Sequence, residues 1–139
     1  MIVLFKKVHS EAVLPTKAHP TDAAFDISTI ESYTLQPGER HLFGTGIAAE
    51  FPAEYVALFR DRSSLGSKGI TVLAGVIDAS YRGEWKVVLL NTSQEPYEIK
   101  AGDRIAQCLF LPVPTVEVKE TAELPGSDRA AGGFGSTGR

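Results

Sequence analysis

The stretch ITVLAGVIDASYRGEWKVVLL, residues 70–90, contains two runs that are rich in β-branched and apolar side chains. The runs cover residues 70–77 and 85–90, and polar residues with one glycine separate them. Runs of this composition, bounded by turn-forming residues, are typical of β-strands. The stretch therefore predicts two strands joined at the tip of a hairpin or of a wide β-arch.

The same pattern of short apolar runs and turn residues continues on both sides of this stretch. Residues 55–59 and 105–111 are further predicted strands, and glycine or proline recurs between the runs. No window sustains a long apolar period of 3.6 residues, and one short helix fits at residues 63–68, with Ser63 or Ser64 as its N-cap. The pattern predicts an all-β sandwich or jelly roll.

Length and charge limit the kinds of protein that the chain can be. A chain of 139 residues with 43% hydrophobic content suits one core, so we predict a single domain over residues 1–139. Its compact body is expected to end near residue 124, before a glycine-rich C-terminal arm at residues 125–139. The formal charge of −3 argues against nucleic-acid and membrane partners, which require a basic face. An anionic ligand must therefore be small and held by local positive charge.

Cysteine content and the N-terminal segment predict a cytoplasmic protein. The single cysteine, Cys108, rules out an intramolecular disulfide and suits a reducing compartment. The apolar run at residues 1–5 is short and precedes Lys6 and Lys7, whereas the positive charge of a signal peptide precedes its apolar run.

A first candidate site, for phosphate, follows the strand at residues 55–59. Arg62, Ser63 and Ser64 supply a guanidinium and two hydroxyls where the short helix begins. Exposed N–H groups there and a bidentate arginine could hold phosphate oxygens. The alternative is that Arg60 and Arg62 pair with Asp61 and nearby carboxylates on the surface while the serines cap the helix.

A second candidate site is the turn between the two strands of the opening stretch. Asp78 follows two apolar residues and is expected at a strand end, where a carboxylate can orient a water as general base. Tyr81 places a ring beside it, and the exposed backbone of such a hairpin could read the edge of one base. The alternative is an ordinary turn, in which Asp78 accepts backbone N–H bonds and Tyr81 packs.

Two further segments carry polar side chains in strand-like patterns. A period of two places Asp22 and Asp26 on one face, where carboxylates could hold Mg²⁺ through its water shell, unless they are simply solvated. Gln107 is predicted to point to the same side as core residues and therefore needs a partner. Either a ligand or a backbone carbonyl would satisfy it.

The C-terminal segment RAAGGFGSTG, residues 129–138, has a composition that suits wrapping a ligand. Its glycines let backbone N–H groups approach an anion, while Arg129, Ser136 and Thr137 add donors. Phe134 offers a flat face on which a base could stack, a contact worth about 1 to 3 kcal/mol. A disordered tail is the alternative, and composition leaves both open.

Taken in order, these segments resemble the five motifs of the trimeric dUTP pyrophosphatase (dUTPase) family. The matching segments are DAAFDI (22–27), RSSL (62–65), GVIDASYRG (75–83), GDRIAQ (102–107) and RAAGGFGSTG (129–138). The resemblance departs from the common wording at Ala24, Phe25, Ser80 and Ala130. Ser80 stands where many members have an acid, whereas the first segment keeps Asp26. These departures affect fine tuning and not the activity.

The resemblance implies a β jelly roll that assembles as a homotrimer, with sites at subunit interfaces, each closed by an arm from another subunit. It implies Mg²⁺-assisted hydrolysis of dUTP to dUMP and pyrophosphate, which limits uracil incorporation into DNA and supplies dUMP for dTMP synthesis. Asp78 would activate the attacking water, and Asp26 would orient waters of the magnesium ion. The implied substrate-binding residues are Arg62, Ser63, Ser64, Gly75, Val76, Ile77, Tyr81, Gln107, Arg129, Phe134, Gly135, Ser136 and Thr137.

Two other functions fit part of the pattern. A dCTP deaminase resembles the same fold, but the wording around Asp78 and Tyr81 and the Phe-Gly-Ser-Thr arm are dUTPase-like. A nucleotide-sensing module without turnover would not need a carboxylate that activates water.

Overall fold

The computed structural model describes residues 1–128, and that part of the chain contains eleven β-strands and one short helix. The prediction of a mostly β fold with one short helix is confirmed. The elements are β1 (Leu4–Lys7), β2 (Phe25–Ser28), β3 (Tyr33–Leu35), β4 (Arg40–Gly44), β5 (Ile47–Glu50), β6 (Tyr55–Arg60), α1 (Ser63–Gly66), β7 (Ile70–Leu73), β8 (Val76–Ile77), β9 (Lys86–Asn91), β10 (Tyr97–Ile99) and β11 (Arg104–Pro112).

The strands form antiparallel sheets in which sequence neighbours are often not sheet neighbours. A four-stranded sheet has the order β2-β11-β6-β8, and a three-stranded sheet has the order β4-β9-β7. Two further pairs, β1 with β5 and β3 with β10, complete the architecture. The four-stranded sheet matters most for the site, because its strands carry or precede four of the five motifs.

An aromatic cluster lies in the core. Trp85 is fully buried, and its ring lies 5.4 Å from Phe5, 5.7 Å from Phe59 and 6.3 Å from Phe51 and Phe110, centroid to centroid. Most of these contacts are edge-to-face, a geometry that adds about 0.5 to 1.5 kcal/mol per pair beyond area burial. The cluster joins four separate chain segments to the strand that follows Asp78, so the candidate turn rests on a rigid base.

The predicted strand at residues 70–77 is not continuous. β7 ends at Leu73 and pairs with β9, whereas β8 begins at Val76 and pairs with β6 in the other sheet. Ala74 and Gly75 separate the two, with φ values of +61° and +101°. Because a positive φ lies outside the β region, the strand is interrupted here and the chain crosses from one sheet to the other. Of the two predicted geometries, the wide β-arch is the one that forms.

The helix is shorter than predicted and its N-cap is different. It covers Ser63–Gly66, and its N-cap is Arg62, in an extended conformation with no side-chain cap bond. The predicted serine cap is therefore wrong. Within residues 1–128, no helix has both the length and the apolar character needed to cross a membrane.

Candidate functional site

Two arginines and one carboxylate form a compact cluster at the end of the four-stranded sheet. The Arg62 Nε donates to Asp26 Oδ1 over 2.8 Å, and the Arg104 Nη1 donates to Asp26 Oδ2 over 2.9 Å. Arg62 Nη1 also donates to the Arg104 carbonyl over 3.1 Å. With two cations on one anion, the cluster carries net positive charge, which a phosphate group would neutralise.

Strand register brings this cluster together. Gln107 on β11 lies opposite Asp26 on β2 and opposite Arg60 on β6. Side chains directly opposite one another share a face of the sheet. Arg62 follows β6 by two residues and Arg104 begins β11, so the sheet gathers residues that are far apart in the sequence.

A cleft of about 570 Å³ opens on this face, and Asp22, Asp26 and Gln107 line it. The Asp22 carboxylate accepts the His19 N–H over 2.8 Å, closing its own turn. β2 begins only at Phe25, so the prediction that one strand carries both aspartates is wrong. The two aspartates nevertheless share the cleft.

Gln107 is half-buried and has a backbone partner. Its Nε2 donates to the Asp61 carbonyl over 2.7 Å, so the backbone carbonyl is the partner it finds. Its neighbours Ala106 and Cys108 point the other way and are fully buried. Gln107 therefore faces the cleft and not the core, contrary to the sequence prediction.

The hydroxyls of the short helix are exposed beside Arg62. Ser64 Oγ lies 3.4 Å from Arg62 Nη1, at the limit of a hydrogen bond, and Ser63 is also exposed. Asp61 accepts bonds from Thr71 Oγ1 and the Val72 N–H. Of the nearby carboxylates, the one with which Arg62 pairs is therefore Asp26 and not Asp61.

The Asp78–Tyr81 segment is a tight turn beside a second cavity. The Tyr81 N–H donates to the Asp78 carbonyl over 3.0 Å, which closes the turn and leaves the Asp78 carboxylate exposed. The Tyr81 ring is 48% exposed, and its hydroxyl donates to the Glu84 carbonyl over 3.1 Å. Both side chains line a cavity of about 310 Å³ together with Val76 and Ile77.

Gly75 ties this cavity to β6. Its carbonyl accepts the Phe59 N–H over 2.8 Å, and a Cβ at this position would lie 2.9 Å from the Phe59 Cβ. With φ at +101°, the position favours glycine on both counts. The close approach places the backbone of Val76 and Ile77 at the sheet edge, where Val76 is 67% exposed.

Within one chain, the arginine cluster and the Asp78 turn lie too far apart to contact the same atom of a ligand. Gln107 and Asp26 are level with Arg60, whereas Ile77 is level with Ala57 and Asp78 lies one residue further. Three strand spacings and four residues separate Asp26 from Asp78, which is about 20 Å between their Cα atoms. The arginine cluster and the Asp78 turn are therefore two separate half-sites.

The fit of Mg²⁺ can be tested at Asp26. Both of its oxygens accept an arginine N–H, but each keeps a second lone pair that can accept a water. Within residues 1–128, no group of three histidine, cysteine, aspartate or glutamate side chains is arranged to ligate a metal directly. Contact through water suits Mg²⁺, which retains several waters in proteins.

Two residues of the site were not predicted. Arg104 lies inside the segment 102–107, but no role was predicted for it. The feature that points to it is strand register, because Arg104 lies opposite Ser28, two residues from Asp26. Glu84 follows the Asp78 turn and contacts Tyr81 through its carbonyl. The predicted arm residues Arg129, Phe134, Gly135, Ser136 and Thr137 lie outside the described residues.

Comparison with known proteins agrees with this geometry. The dUTPase family model matches residues 10–138. A deoxyuridine 5'-triphosphate nucleotidohydrolase of Nautilia profundicola is 47% identical, and the alignment covers both chains completely.

Two solved structures have the same fold. A mutant dUTPase of Staphylococcus bacteriophage 80alpha, solved with dUpNHpp, superposes with a TM-score of 0.92 at 29% identity over 99% of each chain. A mutant dUTPase from phage phi11 of S. aureus, which shows the coordination of a structural Mg(II) ion, has a TM-score of 0.84 at 26% identity. It is matched over its full length, by 91% of this chain. The predicted jelly-roll fold is thereby confirmed, and the chain belongs to the dUTPase family.

Proposed function

We propose that this protein hydrolyses dUTP to dUMP and pyrophosphate, limiting uracil incorporation into DNA and supplying dUMP for dTMP synthesis. The observation that carries the proposal is the exposed Asp78 carboxylate at a rigid turn, beside a cavity that also presents the Tyr81 ring. Family membership supports the same reaction, because a relative 47% identical to this chain is a deoxyuridine 5'-triphosphate nucleotidohydrolase.

The Asp78 turn would bind the nucleoside and aim the water. Asp78 acts as general base on a water that attacks the α-phosphorus, which requires hydrogen-bond contact of about 2.6 to 3.2 Å. The backbone of Gly75, Val76 and Ile77 reads the edge of uracil, because β8 is an edge strand with free backbone groups. The Tyr81 ring lies under the deoxyribose and leaves no room for a 2'-hydroxyl.

The arginine cluster would bind the phosphate chain. Arg62 is held by Asp26 without ligand, so phosphate oxygens compete for the same guanidinium. Arg104 stays with Asp26 and keeps that carboxylate neutralised. Ser63, Ser64 and Gln107 add donors, and Gln107 exchanges the Asp61 carbonyl for a phosphate oxygen.

Magnesium would enter through the Asp26 cleft. When bound, Mg²⁺ neutralises the charge that builds on the phosphate oxygens during attack. Asp26 accepts hydrogen bonds from its waters and so orients the ion. Because the cluster is already net positive, the metal is held better with the negatively charged nucleotide than without it.

Assembly as a homotrimer explains the separation of the half-sites. The strand geometry puts Asp78 about 20 Å from Asp26 within one chain, so the turn of one subunit would meet the arginine cluster of another. The segment after β11 also leaves large apolar side chains exposed: Val116 at 72%, Val118 at 90% and Leu124 at 83%. Exposed apolar side chains on an extended segment favour packing against another chain.

The arm and the compartment complete the proposal. Arg129, Ser136 and Thr137 would clamp the β- and γ-phosphates, Gly135 would let the backbone approach them, and Phe134 would stack on uracil. We place the enzyme in the cytoplasm, since its single cysteine is buried as a free thiol.

The replacement Asp78→Asn tests the assignment of the base. It keeps the size and one acceptor oxygen but removes the basic carboxylate, so dUTP binding is retained while turnover is lost. Pyrophosphate release measures turnover, and equilibrium dialysis with dUTP measures binding. Glu54→Gln, at another exposed carboxylate, serves as the matched control. Near-normal turnover by Asp78→Asn would remove Asp78 as the base, and ammonia release from dCTP by the unmodified protein would favour the deaminase instead.

Truncation before Arg129 tests the arm. The truncated chain keeps its folded trimer but loses most turnover, because the β- and γ-phosphates lose their clamp. Sedimentation velocity and pyrophosphate release measure the two effects separately. If the truncated chain fails to assemble, the arm serves assembly before catalysis.

A further inference from the structure

We propose that Glu84 is a positioning residue that sets the orientation of the Tyr81 ring, and with it the selectivity for a 2'-deoxy sugar over ribose. The proposal rests on the proposed function, because it assigns a role in selecting the substrate of that reaction. Glu84 makes two contacts that bear on the ring, one through its carboxylate and one through its backbone carbonyl.

The carboxylate of Glu84 anchors the end of the turn to another part of the fold. Its Oε1 accepts the Gly46 N–H over 2.9 Å, in the connection between β4 and β5. Gly46 is itself held firmly, since φ is +68° and a Cβ there would lie 2.9 Å from the Cβ atoms of both Ala12 and His9. The acceptor therefore meets a donor whose position is fixed by packing.

The backbone of Glu84 holds the Tyr81 ring. The Tyr81 hydroxyl donates to the Glu84 carbonyl over 3.1 Å, so the ring folds back over the intervening residues. A Cβ at Gly83 would overlap the Tyr81 hydroxyl and ring, so only glycine lets the ring lie here. Moving the Glu84 backbone therefore moves the ring that would lie under the sugar.

The other side of the turn is fixed independently. Arg82 Nη1 donates to the Ala79 carbonyl, and its Nη2 lies 3.6 Å from Glu50 Oε1. These groups hold the tip of the turn but do not contact the Tyr81 hydroxyl. On the side where the ring rests, two bonds anchor the chain: the Glu84 carboxylate accepts the Gly46 N–H, and the Trp85 N–H donates to the Ile47 carbonyl over 2.8 Å.

The role of Glu84 depends on its acceptor oxygen and on the length of its side chain. Lys86 Nζ lies 3.6 Å from Oε2, which is a partly exposed pair of small value. A Cβ on Gly44 would lie 2.8 Å from Glu31 Oε1 and 3.0 Å from Glu84 Oε1, so the two carboxylates share one small space. The negative charges of Glu31 and Glu84 repel each other, and the His41 ring pairs with Glu31 Oε2 over 3.0 Å. An amide in place of the Glu84 carboxylate therefore preserves the anchor.

Three replacements at this position separate acceptor, length and charge. Glu84→Gln keeps the length and the acceptor oxygen but loses the charge. Glu84→Asp keeps the charge but is too short to reach the Gly46 N–H. Glu84→Ala removes the acceptor, the length and the charge. Glu98→Ala is the matched control, because Glu98 pairs with Lys100 two residues on at the same 3.6 Å. That control lies on β10, away from the Asp78 turn.

The readout is the ratio of kcat/KM for dUTP to kcat/KM for UTP, measured by pyrophosphate release. Glu84→Ala and Glu84→Asp lower this ratio by about tenfold or more, because the ring no longer excludes the 2'-hydroxyl. Glu84→Gln and Glu98→Ala keep the ratio of the unmodified protein. A merely structural role would lower kcat/KM for both nucleotides together and leave the ratio unchanged.

Several outcomes overturn the proposal. An unchanged ratio in Glu84→Asp does so, and it stands as the test even where Glu84→Ala fails to fold. A ratio lost in Glu84→Gln but kept in Glu84→Asp overturns it as well, by assigning the role to charge. If the unmodified protein hydrolyses neither nucleotide, the proposed function fails instead, which distinguishes the two failures.

Discussion

Replacing Gly75 by alanine adds one carbon at the point where the chain crosses between sheets. The new Cβ would lie 2.9 Å from the Phe59 Cβ, inside the 3.5 to 4.0 Å at which carbon atoms usually pack. The position also has φ at +101°, which L-residues rarely adopt. Both effects are expected to destabilise the fold.

The magnitudes can be separated with a second glycine. Gly102 has a similar φ of +90°, but a Cβ there meets nothing within 4 Å. Gly102→Ala should therefore cost only the backbone strain, about 1 to 3 kcal/mol. Gly75→Ala adds about 1 to 3 kcal/mol for the overlap with Phe59.

Thermal unfolding at one protein concentration, with dUTP turnover in parallel, checks this difference. For a chain of this length, 1 kcal/mol corresponds to about 4 °C in Tm, so Gly75→Ala should melt about 4 to 12 °C below Gly102→Ala. Gly75→Ala should also lower kcat/KM for dUTP, because the backbone that we propose to read the base shifts with Gly75. Equal melting temperatures would show that Phe59 yields freely, and the explanation of Gly75 by close packing would then fail.

Three further predictions follow from the described contacts. Asp26→Asn should cost about 1 to 3 kcal/mol of unfolding free energy, because an amide loses one of the two bonds to arginine and weakens the other, and should raise the Mg²⁺ concentration needed for half-maximal turnover. Urea denaturation and a magnesium titration check it, and unchanged magnesium dependence would dissociate Asp26 from the metal. Asn91→Ala should cost about 3 kcal/mol in urea denaturation, because fully buried Asn91 satisfies the carbonyls of Leu35 and Glu95; a loss near zero would contradict the predicted cost. Burial raises the pKa of Cys108 to about 12, so native protein should resist iodoacetamide at neutral pH, and prompt labelling would contradict its burial. The pKa of the thiol in the unfolded chain is about 9.0. The contribution of Cys108 to the unfolding free energy is therefore fully present below that pH and is lost as pH rises toward 12, which denaturation at several pH values will show.

The strands that flank the candidate site, and the family, could be predicted from local sequence. Residues 55–59 and 105–111 have strand composition, and both form strands, β6 and β11, with ends close to those predicted. The order of polar residues in the five segments was enough to predict the family, because a sequence motif is defined by its residue types and their spacing.

Other features depended on contacts between distant segments. The serine N-cap was wrong because Arg62 turns toward Asp26, which lies 36 residues away. The strand predicted at residues 70–77 was divided because two residues with positive φ send its ends to different sheets. Neither a propensity nor a period reports such partners.

The fold class and the family followed from residue types at local spacing along the chain. Folding in three dimensions was needed to bring Arg62 and Arg104 onto Asp26, to pack Gly75 against Phe59 and to place the Glu84 carboxylate on the Gly46 N–H. The physical reason is that hydrogen bonds and close packing between sheets depend on strand register, which is set only when all strands have paired.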